Sequence, residues 1–195
     1  PKKALLCYVV HPYLKNNKVH PNAIEVRLIV ESLTSNGYSV KIVDYRRKRI
    51  HGFYDLCFGF GDAYEFVLKK KLAKKNILYS TGSPFPFQNK QTLLSLKRFS
   101  EREYISGMSN AINGLRLTEN YWPLQLVNSD AIITIGNSFI KSLFDEYNNN
   151  VYTLPAVFFE SNRTVDLIKD RDIKTTKRKF LWLGGKGSIH KGLDL

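Results

Sequence analysis

Apolar runs of strand length alternate with segments of helical character along most of this 195-residue chain. Strands that alternate with helices form parallel sheets, because a parallel connection must cross from one end of the sheet to the other. The sequence therefore predicts an α/β fold, a Rossmann-like doubly wound parallel sheet with helices on both faces. The predicted strands are residues 4–10, 38–45, 54–60, 77–79, 131–135, 151–154 and 180–183.

The first helix is the most clearly delimited element in the sequence. Asn22 is its predicted N-cap, Glu25 the capping-box partner three residues later, and Gly37 its predicted end. Two segments interrupt the regular alternation: a polar loop at 12–21 after the first strand, and a mostly helical insertion at 80–129. Loops that follow parallel strands are where ligands bind, so both segments are candidate functional regions.

The composition is that of a globular protein with a strongly basic surface. The chain is 43% hydrophobic and 24% charged, and its 30 basic and 17 acidic residues give a net charge of +13. A charge of this size favours phosphate groups, whether in nucleic acid, anionic lipid or a nucleotide sugar. The densest clusters are 46–49, 69–75 and 177–179, and such runs are equally typical of a solvated face.

The two cysteines and the amino terminus bear on the cellular compartment. Cys7 and Cys57 both lie within apolar runs, which favours buried thiols in a reducing cytosol over a disulfide framework. No secretory signal is predicted in the first residues, and no apolar stretch approaches the roughly 20 residues that span a bilayer. The expected location is therefore cytoplasmic, with peripheral association to the inner membrane as a further expectation.

The last residues, 180–195, predict a strand, a glycine-rich turn and the start of a helix. Gly184 and Gly185 let the backbone approach a ligand closely, and Lys186 and Lys191 bring positive charge to the helix start. A lysine beside free backbone N–H groups stabilises a diphosphate. The tail therefore predicts a phosphate site.

A second set of candidate residues follows the predicted strands, where an open α/β sheet has its ligand crevice. The set comprises His11, Gly61, Thr81, Gly82 and Ser138. Gly59 and Gly61 lack the third glycine of the dinucleotide fingerprint, so they indicate either a tight turn or room for a ligand. The four histidines have no metal-ligand spacing, and no metal is predicted.

Two parts of the chain resemble family-four (group 1) glycosyltransferases with the GT-B fold. The stretch from Asp130 to Ser138, the following helix and the stretch from Val151 to Pro155 are similar to the strand, serine-capped helix and proline-ended strand of the family's acceptor domain. Lys191, Gly192 and Leu193 are similar to its lysine motif. The resemblance implies an acceptor domain at 1–170, a linker at 171–179 and the first strand and turn of a nucleotide-sugar domain at 180–195.

The resemblance also implies an activity. It is that of a retaining hexosyltransferase, which moves a sugar from a nucleotide-sugar donor to a saccharide or lipid-linked acceptor in cell-surface polysaccharide or lipopolysaccharide synthesis. The nucleotide sugar is a substrate, and neither a cofactor nor a metal is required. Paired glutamates of the donor site would follow residue 195, so this chain alone is expected to be an inactive front part.

The resemblance assigns the two residue sets to the two substrates. Gly184, Gly185, Lys186 and Lys191 would bind the donor diphosphate, while His11, Gly61, Thr81, Gly82 and Ser138 would line the acceptor cleft. The catalytic residues stay unassigned. Two departures stand out: Gly185 occupies a position where family members often carry arginine, and 81–83 replaces a histidine common near the end of the fourth strand.

Two other functions stay open on the sequence. The basic clusters are also typical of a non-enzymatic module that binds nucleic acid or an anionic membrane, which would bind with a steep dependence on salt. Nucleic acid is the less expected partner, because no nucleic-acid-binding motif is recognised. A sugar-nucleotide epimerase of the GT-B fold would turn over a nucleotide sugar without any acceptor.

Overall fold

The computed structural model of the chain describes residues 1–15, 21–102, 112, 115, 117–118 and 122–156. The strands are β1 (Lys2–Tyr8), β2 (Tyr38–Asp44), β3 (Tyr54–Gly59), β4 (Ala73–Ser80), β5 (Ala131–Ile135) and β6 (Val151–Leu154). The helices are α1 (His11–Leu14), α2 (Pro21–Ser35), α3 (Gly61–Lys70), α4 (Phe85–Arg102), α5 (Pro123–Val127) and α6 (Ser138–Asp145). No helix in these described ranges is both long enough and apolar enough to cross a membrane.

The six strands form one parallel sheet in the order β2-β1-β3-β4-β5-β6. From β1 the chain moves to β2 on one side, and from β3 onward it moves to the other side. Right-handed crossovers therefore place α2 and α3 on opposite faces of the sheet, and the direction changes between β1 and β3. The predicted α/β, Rossmann-like doubly wound fold is confirmed.

The described residues divide into two compact units. The first contains the sheet with α1, α2, α3, α5 and α6, and all of the site described below belongs to it. The second contains α4, where the side chain of Asn89 accepts a hydrogen bond from the N–H of Thr118 at 2.8 Å and donates one to its carbonyl at 3.2 Å. The predicted helical insertion is thus confirmed for α4, which begins at Phe85.

Each face of the sheet has its own apolar core. On the α2 face, the buried cluster consists of Leu6, Tyr8, Val26, Phe58 and Tyr79. On the α3 face, the buried Tyr64 of α3 lies near the thiols of Cys7 and Cys57, whose sulfur atoms are 3.9 Å apart. Both cysteines are buried free thiols, as predicted, and burial raises the pKa of the Cys57 thiol.

The predicted cap of the first helix is wrong, although its end is confirmed. The helix includes Pro21, whose fixed φ suits the first turn, so Asn22 lies inside the helix instead of at its N-cap. Glu25 is buried and accepts a hydrogen bond from the hydroxyl of Tyr8 instead of completing a capping box. Gly37 ends the helix with a φ of +82°, and its N–H donates to the carbonyl of Thr34.

Other predicted boundaries shift where charged residues join a strand. β4 begins at Ala73 because the backbone of its lysine-rich start pairs with β3, in the register Leu56 with Lys75, while the lysine side chains stay exposed. The polar loop predicted at 12–21 is wrong at both ends: its first three residues belong to the short helix α1, and Pro21 belongs to α2. The linker at 171–179 and the strand at 180–183 lie outside the described residues.

Candidate functional site

The five predicted acceptor-cleft residues all lie at the carboxyl edge of the sheet. His11 begins α1 after β1, Gly61 begins α3 after β3, Thr81 and Gly82 follow β4, and Ser138 begins α6 after β5. These four strands are adjacent in the sheet. Because neighbouring strands are about 4.8 Å apart, the row spans about 14 Å, which suits an extended ligand better than a single ion.

The turn between β3 and α3 is closely packed. Gly59 has a φ of +129°, and a Cβ atom added there would lie 1.9 Å from the carbonyl oxygen of Cys7. Gly61 has a φ of +91°, and its added Cβ would lie 2.6 Å from the carbonyl oxygen of Tyr45. Only glycine fits both positions, so this turn requires its two glycines for packing.

The polar backbone groups of this turn are already used inside the protein. The N–H of Gly61 donates to Oε1 of Gln125 at 3.2 Å, and Nε2 of Gln125 donates to the carbonyl of Gly61 at 2.9 Å. The N–H of Ala63 donates to the carbonyl of Tyr45 at 3.0 Å. Of the two interpretations of the glycine pair, the geometry supports the tight turn, and the acceptor role of Gly61 stays a prediction.

The turn after β4 is open by comparison. Among the residues that the structure describes, a Cβ atom added to Gly82 meets no atom within 4 Å, and the backbone of Gly82 lies outside the left-handed region. Its carbonyl accepts a hydrogen bond from the hydroxyl of Ser80 at 2.8 Å, which fixes the turn from the inside. Thr81 is exposed beside it. This turn therefore has room for a ligand without loss of any packing contact of Gly82.

The turn after β5 leads into α6, and an asparagine caps that helix. Asn137 has an extended backbone, and its Oδ1 accepts a hydrogen bond from the N–H of Ile140 at 3.2 Å, so Asn137 is the N-cap of α6. Ser138 is the first helical residue and is exposed. The serine cap implied by the resemblance is thus replaced by an asparagine cap, and the hydroxyl of Ser138 lies at the helix start beside it.

An arginine is fixed at the end of β2, next to the point where the sheet changes direction. Nε of Arg46 donates to Oδ1 of Asp44 at 3.0 Å, and its guanidinium lies 5.4 Å from the ring centroid of Tyr45. Burial opposes ionisation of Asp44, but hydrogen bonds from Arg46 and from the backbone of Val10 outweigh it and hold the pKa of that carboxyl below its usual value. Asp44 in turn raises the pKa of Arg46.

Sequence reasoning treated Arg46 only as part of a basic run. The signal that distinguishes it from its neighbours is the aspartate two residues earlier, because Asp44 ends β2 and the chain turns back toward it. Tyr45 between them packs on Phe60, with ring centroids 5.3 Å apart. The pair therefore places one oriented cation at the carboxyl edge of the sheet.

An apolar concavity lies on the α2 face of the sheet. It has a volume of about 260 Å³ and is lined mainly by apolar side chains of α2 and of strands β3 to β6, with Glu25 as its charged residue. Burial, and then the nearby Glu25, raise the pKa of the hydroxyl of Tyr8 and that of Tyr79. Both phenols therefore stay protonated at neutral pH. Sequence reasoning missed this group because it assigned Glu25 to a helix cap.

The donor residues predicted at Gly184, Gly185, Lys186 and Lys191 lie outside the described residues. Within the described ranges, no group of three or more His, Cys, Asp or Glu side chains is placed to hold a metal ion. No family model, curated protein or solved structure matches the chain. The resemblance to glycosyltransferases therefore depends on the sequence motifs alone.

Proposed function

We propose that the protein is a glycosyltransferase that moves a sugar from a nucleotide-sugar donor to a saccharide or lipid-linked acceptor, and that the described sheet binds the acceptor. The main support is the row of candidate residues at adjacent strand ends, where an open α/β sheet binds its ligands. Further support comes from residues 131–155, which form the strand, capped helix and proline-ended strand of the motif that carries the resemblance.

The proposal divides the chemistry between two groups of residues. The acceptor lies along the carboxyl edge, from His11 to Ser138, with its reacting hydroxyl near the open turn at Thr81 and Gly82. A bond forms between the acceptor oxygen and the sugar while the bond from the sugar to the diphosphate breaks, and the proton of the acceptor hydroxyl passes to the departing diphosphate. Lys191 and the glycine-turn amides neutralise the departing diphosphate.

We place this activity in the cytoplasm, at the inner face of a membrane, in the synthesis of a cell-surface polysaccharide or lipopolysaccharide. The net charge of +13 supports the placement, because it draws the protein toward anionic lipid and toward negatively charged donors. Retention of the sugar configuration and independence from metal are parts of the same proposal.

The test is transfer of labelled sugar from UDP, GDP and ADP sugars by the protein that carries this chain, with a membrane extract as acceptor. Replacement of Lys191 by alanine should lower turnover about 100-fold, as loss of one group that stabilises developing negative charge does elsewhere. Lys70→Ala is the matched control, because Lys70 is an exposed lysine at the end of α3, away from the carboxyl edge.

Three outcomes would count against the proposal. Unchanged turnover in Lys191→Ala removes the donor-site assignment. Absence of affinity for any of the nucleotide sugars, measured by calorimetry, removes the function itself. Consumption of the nucleotide sugar without acceptor favours an epimerase.

A further inference from the structure

A cavity lined by two lysines lies at the amino-terminal parts of β1 and β2, beside the start of β3. It has a volume of about 280 Å³, and its lining includes Lys3, Ser39, Lys41, Gly52 and Phe53. This cavity is called the amino-end cavity below. The candidate acceptor row lies at the carboxyl edge, and a strand of seven residues separates the two ends of the sheet by about 23 Å. The proposed function therefore makes no use of the amino-end cavity.

The pairing of β1 with β2 places both lysines of the cavity on one face of the sheet. Lys3 is in register with Ser39, and Leu5 is in register with Lys41. Paired residues of neighbouring strands point to the same face, and so do residues two positions apart in one strand, so the side chains of Lys3, Ser39 and Lys41 share a face. All three residues are exposed. Phe53 flanks Lys3 from the other side, because it directly precedes β3, which also pairs with β1.

The positive charge of the two lysines has no carboxylate partner in the described part of the chain. Within the described ranges neither Lys3 nor Lys41 forms an ion pair. The carboxylate of Asp55 on the neighbouring β3 is already engaged, since Oδ1 is 2.7 Å from Nζ of Lys74 and Oδ2 accepts a hydrogen bond from the backbone N–H of Lys3. Like charges on diagonal neighbours of adjacent strands repel, so an anion between the two lysines stabilises the pair.

The rim of the cavity that carries Phe53 is fixed by hydrogen bonds of the next residue. The hydroxyl of the buried Tyr54 donates to the carbonyl of His51 at 2.9 Å, and its N–H donates to the carbonyl of Leu72 at 2.9 Å. Gly52 between them has a φ of +96°, which favours glycine. The cavity is therefore built into the fold before any ligand binds.

A phosphate monoester matches the charge of this cavity better than a carboxylate does. It carries a charge of about −1.5 to −2 at neutral pH, close to one negative charge for each lysine, and its oxygens can accept a hydrogen bond from the hydroxyl of Ser39. Phe53 is 53% exposed and offers a flat apolar ring, on which a nucleobase can stack. The volume is near the lower end of the range for small-molecule pockets, about 300–1,000 Å³, so it suits a single nucleotide better than a polymer.

We propose that the amino-end cavity binds a nucleoside monophosphate, with the phosphate between Lys3 and Lys41 and the base against Phe53. The identity of the base is left open by this geometry, because every nucleobase has a face that can stack on an aromatic ring. The proposal does not rest on the proposed function, since the cavity is at the opposite end of the sheet from the carboxyl edge.

The experiment is a titration of the ¹⁵N-labelled protein with AMP, followed through the amide signals of Ser39, Gly52 and Phe53. These residues line the cavity, so their shifts report binding there and not at a nucleotide site elsewhere in the chain. Ribose 5-phosphate is the second probe, because it keeps the phosphate and the sugar and lacks the base. No nucleotide sugar is present, so the outcome does not depend on transfer activity.

The test variant is Lys3→Gln with Lys41→Gln, and its matched control is Lys2→Gln with Lys75→Gln. The control removes the same charge from two lysines that lie at the same end of the sheet and, by register, on its opposite face. All four lysines are exposed, so both double variants should fold as the parent protein does.

AMP should shift the three amide signals in the parent protein. The test variant should bind AMP about 100-fold more weakly, because two charge-assisted hydrogen bonds are lost, and the control should bind within about threefold of the parent. Phe53→Ala should weaken AMP binding about tenfold without a change for ribose 5-phosphate, and Phe53→Tyr should restore it. Absence of shifts in the parent, an equal loss in both double variants, equal binding of the two probes, or tighter binding of a single-stranded oligonucleotide than of AMP would overturn the proposal.

Discussion

Two turns that follow adjacent strands, β3 and β4, use glycine in opposite ways. At Gly59 and Gly61 an added methyl group would overlap neighbouring backbone atoms, and the peptide groups of Gly61 are hydrogen-bonded to Gln125. At Gly82 an added methyl group has no atom of the described part of the chain within 4 Å. The glycine pair 59 and 61 resembles a nucleotide-binding fingerprint, yet it is required for packing. Gly82 belongs to no motif, yet it lies in the more accessible part of the carboxyl edge of the sheet.

The tight turn has a consequence for the open one. Because Gly59 lets β1 and β3 approach and Gly61 lets α3 start against Tyr45, the middle of the sheet is fixed at its carboxyl edge. The neighbouring turn at 80–82 is held by the hydrogen bond from the hydroxyl of Ser80 to the carbonyl of Gly82, so its exposed side can contact a ligand. Rigid support beside an accessible loop is the usual arrangement of binding sites.

The largest expected effect is that of Gly59→Ala. The new Cβ would lie 1.9 Å from the carbonyl oxygen of Cys7, and residue 59 has a φ of +129°. Either β1 and β3 separate at this point or the chain fails to fold. We expect a loss of about 4 kcal/mol or more in the free energy of unfolding, measured by urea denaturation. Gly82→Ala is the matched control and should change it by less than about 0.5 kcal/mol. Equal effects at the two glycines would abolish the distinction between the turns.

The next effect comes from the amide that closes the tight turn. Gln125 is only 3% exposed. Gln125→Leu keeps the side-chain volume but leaves the N–H and the carbonyl of Gly61 without their partner. We expect a loss of about 3 kcal/mol in the free energy of unfolding. Gln125→Glu retains an acceptor for the N–H but buries a carboxylate against the carbonyl of Gly61 and beside the buried Glu65, so it should lose at least as much. An unchanged free energy of unfolding in Gln125→Leu would mean that water replaces the amide and that the turn is less closed than its distances indicate.

The tyrosines beside the two turns extend the comparison to pH. Tyr8 packs on Phe60 of the tight turn, and Tyr79 precedes the open one. Tyr8→Phe removes the donor to the buried Glu25 and should lower the free energy of unfolding by about 2 kcal/mol at neutral pH, whereas Tyr79→Phe should lower it less.

The pH dependence follows from the raised pKa values of both phenols. Their stabilising contribution is complete below the unfolded pKa of about 10 and is lost as pH rises above it. Each Tyr→Phe change should therefore reduce the slope of stability against pH between about 10 and 12 by about 1.4 kcal/mol per pH unit. Slopes that match the parent protein would show that the phenols ionise in the folded state as they do in water.

The sequence predicted the sheet more completely than the site. Apolar runs locate β1 to β6 because a buried parallel strand must be apolar along its length. The lysine-containing starts of β1 and β4 were hidden by their exposed charges, and the predicted end of the first strand at Val10 was wrong, since β1 ends at Tyr8. The partner of Glu25 could not be predicted, because the hydroxyl of Tyr8 approaches it only once the first helix packs on the sheet. The difference between Gly61 and Gly82 likewise depends on neighbours that are distant in sequence, such as Gln125.

The most direct test of the account fills the open turn while leaving the tight turn intact. Gly82→Trp places a large ring at the centre of the candidate row, and Asn128→Trp places the same ring at an exposed position after α5. The measurement compares sugar transfer and free energy of unfolding for both variants of the protein that carries this chain. We predict that Gly82→Trp lowers transfer at least about tenfold with stability unchanged within about 0.5 kcal/mol, and that Asn128→Trp changes neither. Full transfer activity in a stably folded Gly82→Trp variant would contradict the placement of the acceptor at this edge of the sheet.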